Sequence, residues 1–342
     1  MRILVAPDKF AGTLTARQAG EAIATGWRRH APDDVLTLLP MSDGGPGFVD
    51  VLGEPDGQTI NLEAAAHVGR DLGLDPWNAS SFALGLAVRE AVGQVRRVRV
   101  GLGGTRTNDG GAGFLAALGA TADVPLDRGP AGLRGITSVD LEPARALVEA
   151  VDLVAAADVD IPLLGLFGAT KTFGPQKGLA DHELVEVDGL LDQFVVATLG
   201  AGPAERRLAD TPGAGAAGGL GFAFLVLGKQ VVRGVDLVAE AVGLADACAG
   251  HDLVLTGEGT FDHTSRTGKV VFGVAQAAAE SARPCVVLAG QVTVGSREAR
   301  AMGVDAAYAM ADLVGLEVAK SEPFEALARL AERTARTWSL RS

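Results

Sequence analysis

The chemistry in this chain starts from nine charged side chains that fall in or beside turns following apolar runs: Asp8, Lys9, Asp43, Asp109, Asp158, Lys177, Glu258, Asp262 and Lys269. Glycine-rich stretches lie among them, including Val100–Gly113 (V-G-L-G-G-T-R-T-N-D-G-G-A-G) and Pro212–Gly221. Glycine lets backbone N–H groups approach an anion, and a following helix N-terminus adds a favourable dipole, so such loops suit phosphate. Carboxylates beside them suit Mg²⁺, which takes one or two carboxylates plus phosphate oxygens and water. Lysines would balance the phosphate charge. Asp109, with Asn108, stands ready at the rim of the first loop to hold a metal or a hydroxyl. Two other chemistries find no support. His263 with Ser265 reads as loop chemistry rather than a hydrolase pair. The Gly-x-Gly-x-x-Gly turn of a dinucleotide site, with an acidic residue about 20 positions on, is not found after the first strand, and the Val100–Gly113 loop lacks the Gly-Lys-Ser/Thr ending of a phosphate loop.

The elements that must hold these residues alternate. Apolar runs at Arg2–Ala6, Val35–Leu39, Leu153–Ala157, Asp252–Thr256, Cys285–Ala289 and Ala306–Met310 read as strands, as does the run into Val100 and Leu102. Helical patterns follow at Ala16–Arg29, opened by a Thr15/Gln18 capping box, and at Leu62–His67, Phe82–Val92, Pro143–Ala150, Asp181–Val196, through Leu227, from Val270, and at Phe324–Trp338. Strand, polar turn and helix in repetition predict an α/β protein with parallel sheets, whose ligands lie beyond the strand carboxyl ends. A chain of 342 residues exceeds what one hydrophobic core usually fills, which predicts two domains. Polar crossings at Gly53–Asn61 and Val231–Leu244 place the expected boundaries: residues 1–52 plus 245–342 in one domain and 53–244 in the other.

Composition narrows the partners. A net charge of −12 argues against nucleic acid or an anionic membrane as a partner, so an anionic ligand needs local cations or a metal. No apolar run approaches the ~20 residues of a membrane span. The first apolar run is too short for a signal peptide, and Cys248 and Cys285 lack metal-like spacing. The expectation is a cytoplasmic protein with buried thiols, a monomer or homodimer acting on a small molecule.

Taken in order, V-A-P-D-K-F at Val5, S-D-G-G at Ser42, G-G-T-R-T-N-D-G-G-A-G at Gly103, A-D-V at Ala157, P-L-L-G at Pro162, F-G-P-Q-K-G at Phe173, G-A-G-A-A-G-G at Gly213 and G-E-G-x-x-D with G-K at Gly257 resemble the bacterial type of glycerate kinase. The resemblance implies ATP- and Mg²⁺-dependent phosphorylation of D-glycerate, typically to 2-phosphoglycerate, by a two-domain α/β protein with its site in the interdomain cleft. Carried onto this chain, it assigns phosphate cradling to Gly103, Gly104, Thr105, Asn108, Gly110 and Gly111, and to Gly213, Gly215, Gly218 and Gly219. Lys177 and Lys269 would neutralise charge. Magnesium ligands and the hydroxyl's proton acceptor are expected among Asp43, Asp109, Glu258 and Asp262, with Asp43, Asp109 and Glu258 as the metal set. Asp109→Asn is therefore expected to abolish activity without harming the fold.

The chain also departs from that pattern. Ala11 stands where the family has a second lysine, Pro46 and Phe48 where it has Glu and Thr, Ile161 where an Asn precedes Pro162, and Thr260 where an Arg follows G-E-G. The T-T-S-x-G-T-G-E motif becomes N-A-S-S-F-A-L-G around Ala79, and a segment of roughly thirty residues after Asp50 is absent. These changes motivate an alternative: a diverged relative with another hydroxy-acid substrate, or a binding protein with little turnover. They also predict that nucleotide binding survives better than glycerate binding.

Overall fold

A computed structural model describes residues 1–10, 12–53, 57–69, 72–263 and 269–339. Ala11 and Ser265 lie outside the described residues, as does part of the expected crossing after Gly53. The chain divides into two compact units, Met1–Asp43 with Val235–Ser342, and Gly44–Gly234. Both breaks fall earlier than the expected 52/53 and 244/245. At the first break, Phe48 is fully buried against Gly101 of the second unit, which carries the helix Phe48–Leu52 with it. At the second, Val235, in the first turn of the helix Gly234–Val242, packs on Gly273 of the first unit.

The first unit is built on a five-stranded sheet in the order Ala306–Ala309, Cys285–Ala289, Leu253–Thr256, Arg2–Val5, Val35–Leu38. Every pairing is parallel. Parallel sheets are covered on both faces, so their strands read as continuous apolar runs. Ile3, Leu4 and Val5 and all of Cys285–Ala289 are accordingly buried. The helix Ala16–His30 opens as expected, with the Thr15 hydroxyl accepting from the Gln18 N–H and the Gln18 side chain accepting from the Thr15 N–H. It packs its buried face, centred on Ile23 and Trp27, with Leu327, Leu330 and Ala331 of the closing helix Pro323–Trp338.

Chain order matters here. After Arg2–Val5 the chain moves outward to Val35–Leu38, and it returns on the other side of that first strand only at Leu253–Thr256. Adjacent strands whose connections leave in opposite directions open a crevice at their carboxyl ends, where open α/β sheets bind ligands.

The second unit carries a four-stranded parallel sheet in the order Thr59–Glu63, Arg97–Gly101, Asp152–Ala157, Gln230–Arg233. Two of these strands overturn expected crossings. Thr59–Glu63 is half-buried throughout, so its polar alternate residues read as a loop although all five pair with Arg97–Gly101. Gln230–Arg233 pairs with Val154–Ala157 at the opposite edge, and the helix Gly234–Val242 follows directly. The expected helix Leu62–His67 is correspondingly Ala64–Val68, because Leu62 and Glu63 belong to the strand. The Glu63 carboxylate accepts from the N–H groups of Gly47 and Val49, at 2.9 and 2.8 Å, and so closes the start of helix Phe48–Leu52.

Candidate functional site

Strand order in the first unit brings the ends of Arg2–Val5 and Leu253–Thr256 together. The Asp8 N–H donates to Gly257 O at 2.9 Å, and the Thr256 hydroxyl donates to Ala6 O at 2.8 Å. Gly257 passes so close to Leu288 that a Cβ there would lie 2.0 Å from its carbonyl oxygen. Glu258 is thereby presented beside Asp8, at the crevice that the topology opens.

Two lysine–carboxylate groups stand at the resulting cavity of about 620 Å³, whose lining also holds Lys320. In one, Lys9 Nζ lies 2.9 Å from Asp43 Oδ1 and 3.9 Å from Asp8 Oδ1. In the other, Lys269 Nζ lies 3.6 Å from Glu258 Oε2 and 3.8 Å from Asp262 Oδ1. Burial, reinforced by the nearby charge of Asp43, pushes the Asp8 carboxyl from 3.8 up to about 7, against the pull of Lys9. The structure thus gathers Asp43, Glu258, Asp262 and Lys269 as one group. It adds Asp8 and Lys9, which the residue-by-residue assignment left without a role although both stand directly after the first strand.

Among the described residues no three His, Cys, Asp or Glu side chains converge as a ready-made metal cage. That donor set fits Mg²⁺ nonetheless, since this ion needs only one or two protein carboxylates when phosphate oxygens complete its shell. Asp43 and Glu258, each beside a lysine that can meet phosphate, have the required chemistry.

Asp109 is elsewhere, in the second unit, and has another task. It is fully buried; Oδ2 accepts from the Ser81 N–H and hydroxyl at 2.8 Å each and from the Gly113 N–H at 3.3 Å, while Oδ1 accepts from the Gly111 N–H at 3.0 Å. Burial raises its carboxyl pKa, against those donors. A carboxylate with four donors ties the loop to the start of helix Ala112–Leu118 and has no face left for an ion. Against the sequence expectation, these bonds imply that Asp109→Asn would cost stability. Ser81, inside N-A-S-S-F-A-L-G, is the partner that the sequence did not reveal; its hydroxyl also accepts from the Phe114 N–H.

The glycine loops are likewise occupied with each other. The Gly110 N–H donates to Gly218 O, and the N–H groups of Gly103, Gly215, Gly218 and Gly219 donate to Gly44, Ile161, Gly215 and Ala216 carbonyls. A Cβ on Gly218 would lie 2.1 Å from Thr107 O, and one on Gly219 2.4 Å from Gly110 Cα. These glycines permit two loops to pack backbone on backbone. With Gly111 bonded to Asp109, the N–H groups of Gly103, Gly110, Gly111, Gly215, Gly218 and Gly219 already have acceptors inside the protein. Gly213 lies against Val231 of the edge strand.

What the second unit does offer is small. Gly103, Gly104, Thr105, Asp158, Gln176 and Lys177 line a cavity of about 120 Å³. Lys177 is only 3% exposed and donates to Thr107 O at 2.7 Å. Asn108 donates to the Thr170 hydroxyl at 3.0 Å, and its Oδ1 and the neighbouring Thr107 Oγ1 are buried without a hydrogen-bond partner among the described residues. Of the departures, Phe48 is core, Pro46 packs beside Gly104 and Ile161 beside Gly215, while Thr260 lines the larger cavity.

Comparison with known proteins adds three findings. The Glycerate kinase family model matches residues 3–73 and 53–339. The chain is 35% identical to a glycerate kinase of Bacillus subtilis strain 168 over 376 positions, covering 98% of this chain and 96% of that one, and 31% identical to a glycerate 2-kinase of Escherichia coli K12, covering 99% and 98%. A crystal structure from Salmonella typhimurium LT2, described as glycerate kinase 2, superposes with a TM-score of 0.80 at 31% identity, covering all of both chains. The Bacillus alignment is longer than this chain's 342 residues, so that relative carries residues with no counterpart here.

Proposed function

The chain belongs to the glycerate kinase family, and from that premise we propose that it transfers the γ-phosphoryl group of ATP, with Mg²⁺, to D-glycerate, giving ADP and 2-phosphoglycerate. The observation that carries this reading is the cluster of Asp8, Lys9, Asp43, Glu258, Asp262 and Lys269 at the crevice of the first unit. Phosphoryl transfer asks a protein mainly for positioning and charge stabilisation. Lys9 and Lys269 supply the cations for the phosphate oxygens. Asp43 and Glu258 would hold Mg²⁺, which supplies neutralisation of the transferring group. Asp8, held near neutrality by burial, suits acceptance of the hydroxyl proton, because a base works best with a pKa near the working pH.

The choice of the 2-hydroxyl leans on the name of the Escherichia coli relative. An ADP-release assay with D-glycerate, L-glycerate, glycolate and lactate tests the activity, and phosphorus NMR of the product separates 2- from 3-phosphoglycerate. Turnover of D-glycerate is expected. ATP·Mg²⁺ binding without ADP release from any acid would instead establish the binding-protein alternative.

A further inference from the structure

We propose that the first-unit cavity takes the whole nucleotide, with the purine base against an apolar wall of Phe10, Met310, Leu316 and Ala319 and with Gln291 reading its hydrogen-bonding edge. This inference rests on the reading of the protein as an ATP-dependent kinase and adds where the base goes. The cavity has two characters. Its lining holds the lysine and carboxylate groups already described, and also these four apolar side chains, with Lys320 next to Ala319. A nucleotide is divided in the same way, into a polyanion that needs cations and a flat base that needs an apolar surface. Small-molecule sites of this size, roughly 300–1,000 Å³, are mostly apolar with a few placed polar groups. The cavity beside the glycine loops, at about 120 Å³, lies well below that range.

Gln291 is the group that can recognise the base. Its backbone is fixed by pairing of Gln291–Val292 with Thr260–Phe261, and its N–H donates to Gly259 O at 3.0 Å. A glutamine amide offers a donor and an acceptor side by side, which matches adenine bidentately. Leu316 opens the helix Leu316–Ser321 and is 37% exposed, so a polar residue there changes the wall without opening the core.

The test uses the full chain and two probes, ADP·Mg²⁺ and tripolyphosphate·Mg²⁺, the second having phosphates but no base. Leu316→Asn and Gln291→Ala are each expected to weaken ADP·Mg²⁺ binding at least fivefold by calorimetry while leaving tripolyphosphate·Mg²⁺ within twofold. Gln176→Glu, at the smaller cavity, is expected to leave ADP·Mg²⁺ binding within twofold. The assignment is overturned if the wild-type chain binds no ADP·Mg²⁺, if either first-unit variant binds it as wild type does, if both probes weaken in parallel, or if Gln176→Glu causes the loss. A chain that binds ADP·Mg²⁺ as expected yet phosphorylates no hydroxy acid sinks the proposed activity and leaves the base where it is placed. A chain that phosphorylates D-glycerate with ADP affinity untouched by both variants does the reverse.

Discussion

The two units answer the demand for a charged-ligand site in opposite ways. The glycine loops of the second unit spend their flexibility on each other: their N–H groups are bonded, their α-carbons touch, and their one acidic residue, Asp109, is the knot. In the first unit a few charged side chains stand at the ends of neighbouring strands around an open volume. A glycine-rich turn therefore says that something approaches closely; here that something is another stretch of the same chain.

The sharpest break in this comparison comes from paired substitutions. Asp8→Asn is expected to lower kcat/KM by roughly 10²- to 10⁴-fold, the range for a lost general base. Its thermal stability should hold or rise, since a neutral amide removes a charge that burial disfavours. Asp109→Asn is expected to show the converse. Each buried donor left without an acceptor costs about 1–3 kcal/mol, so the melting temperature falls while the folded fraction keeps its turnover. Equal turnover losses with unchanged melting in both would dissolve the distinction. Gly218→Ala is expected to destabilise on the order of 3 kcal/mol, from the clash with Thr107 O and the left-handed φ of +71°. Denaturant unfolding measures it.

A pH titration sharpens the first-unit half. The folded chain keeps a proton on Asp8 between about 4 and about 7, where the unfolded chain has lost it. The folded state then binds more protons, so stability from this group falls as pH rises through that window. Asp43→Asn removes a charge that raises the Asp8 value and is expected to flatten this slope in the metal-free chain. An unchanged slope would mean that the two carboxylates do not interact. The smallest effect concerns local structure alone: Thr15→Ala, losing the capping box, should cost about 1 kcal/mol with no change in KM for either substrate.

How much of this was legible follows from where the information lies. Parallel α/β architecture, the capping box and most strands are local patterns, and they were readable at Arg2–Ala6 or Cys285–Ala289. Thr59–Glu63 was not, because an edge strand with one half-buried polar face looks like a loop. Asp8 and Lys9 were visible as strand-end charges, but their weight depends on which strand lies alongside. That neighbour is Leu253–Thr256, some 250 residues away in sequence. Asp109 was misread for a matching reason: glycines on both sides suggested an open loop, and the burying partner, Ser81, comes from a segment with no chemical signature.

The strand order of the first sheet also sets a schedule for making the protein. On the ribosome Arg2–Val5 emerges early and can pair with Val35–Leu38, but its other neighbour does not exist until residue 253 has been made. The intervening unit, Gly44–Gly234, is continuous and has all four of its strands before then. Domains fold as units during synthesis. The embedded unit can thus mature while the first two strands wait with an open edge, and a chain truncated between Gly234 and Leu253 ends as one finished unit carrying a strand pair with one edge left open.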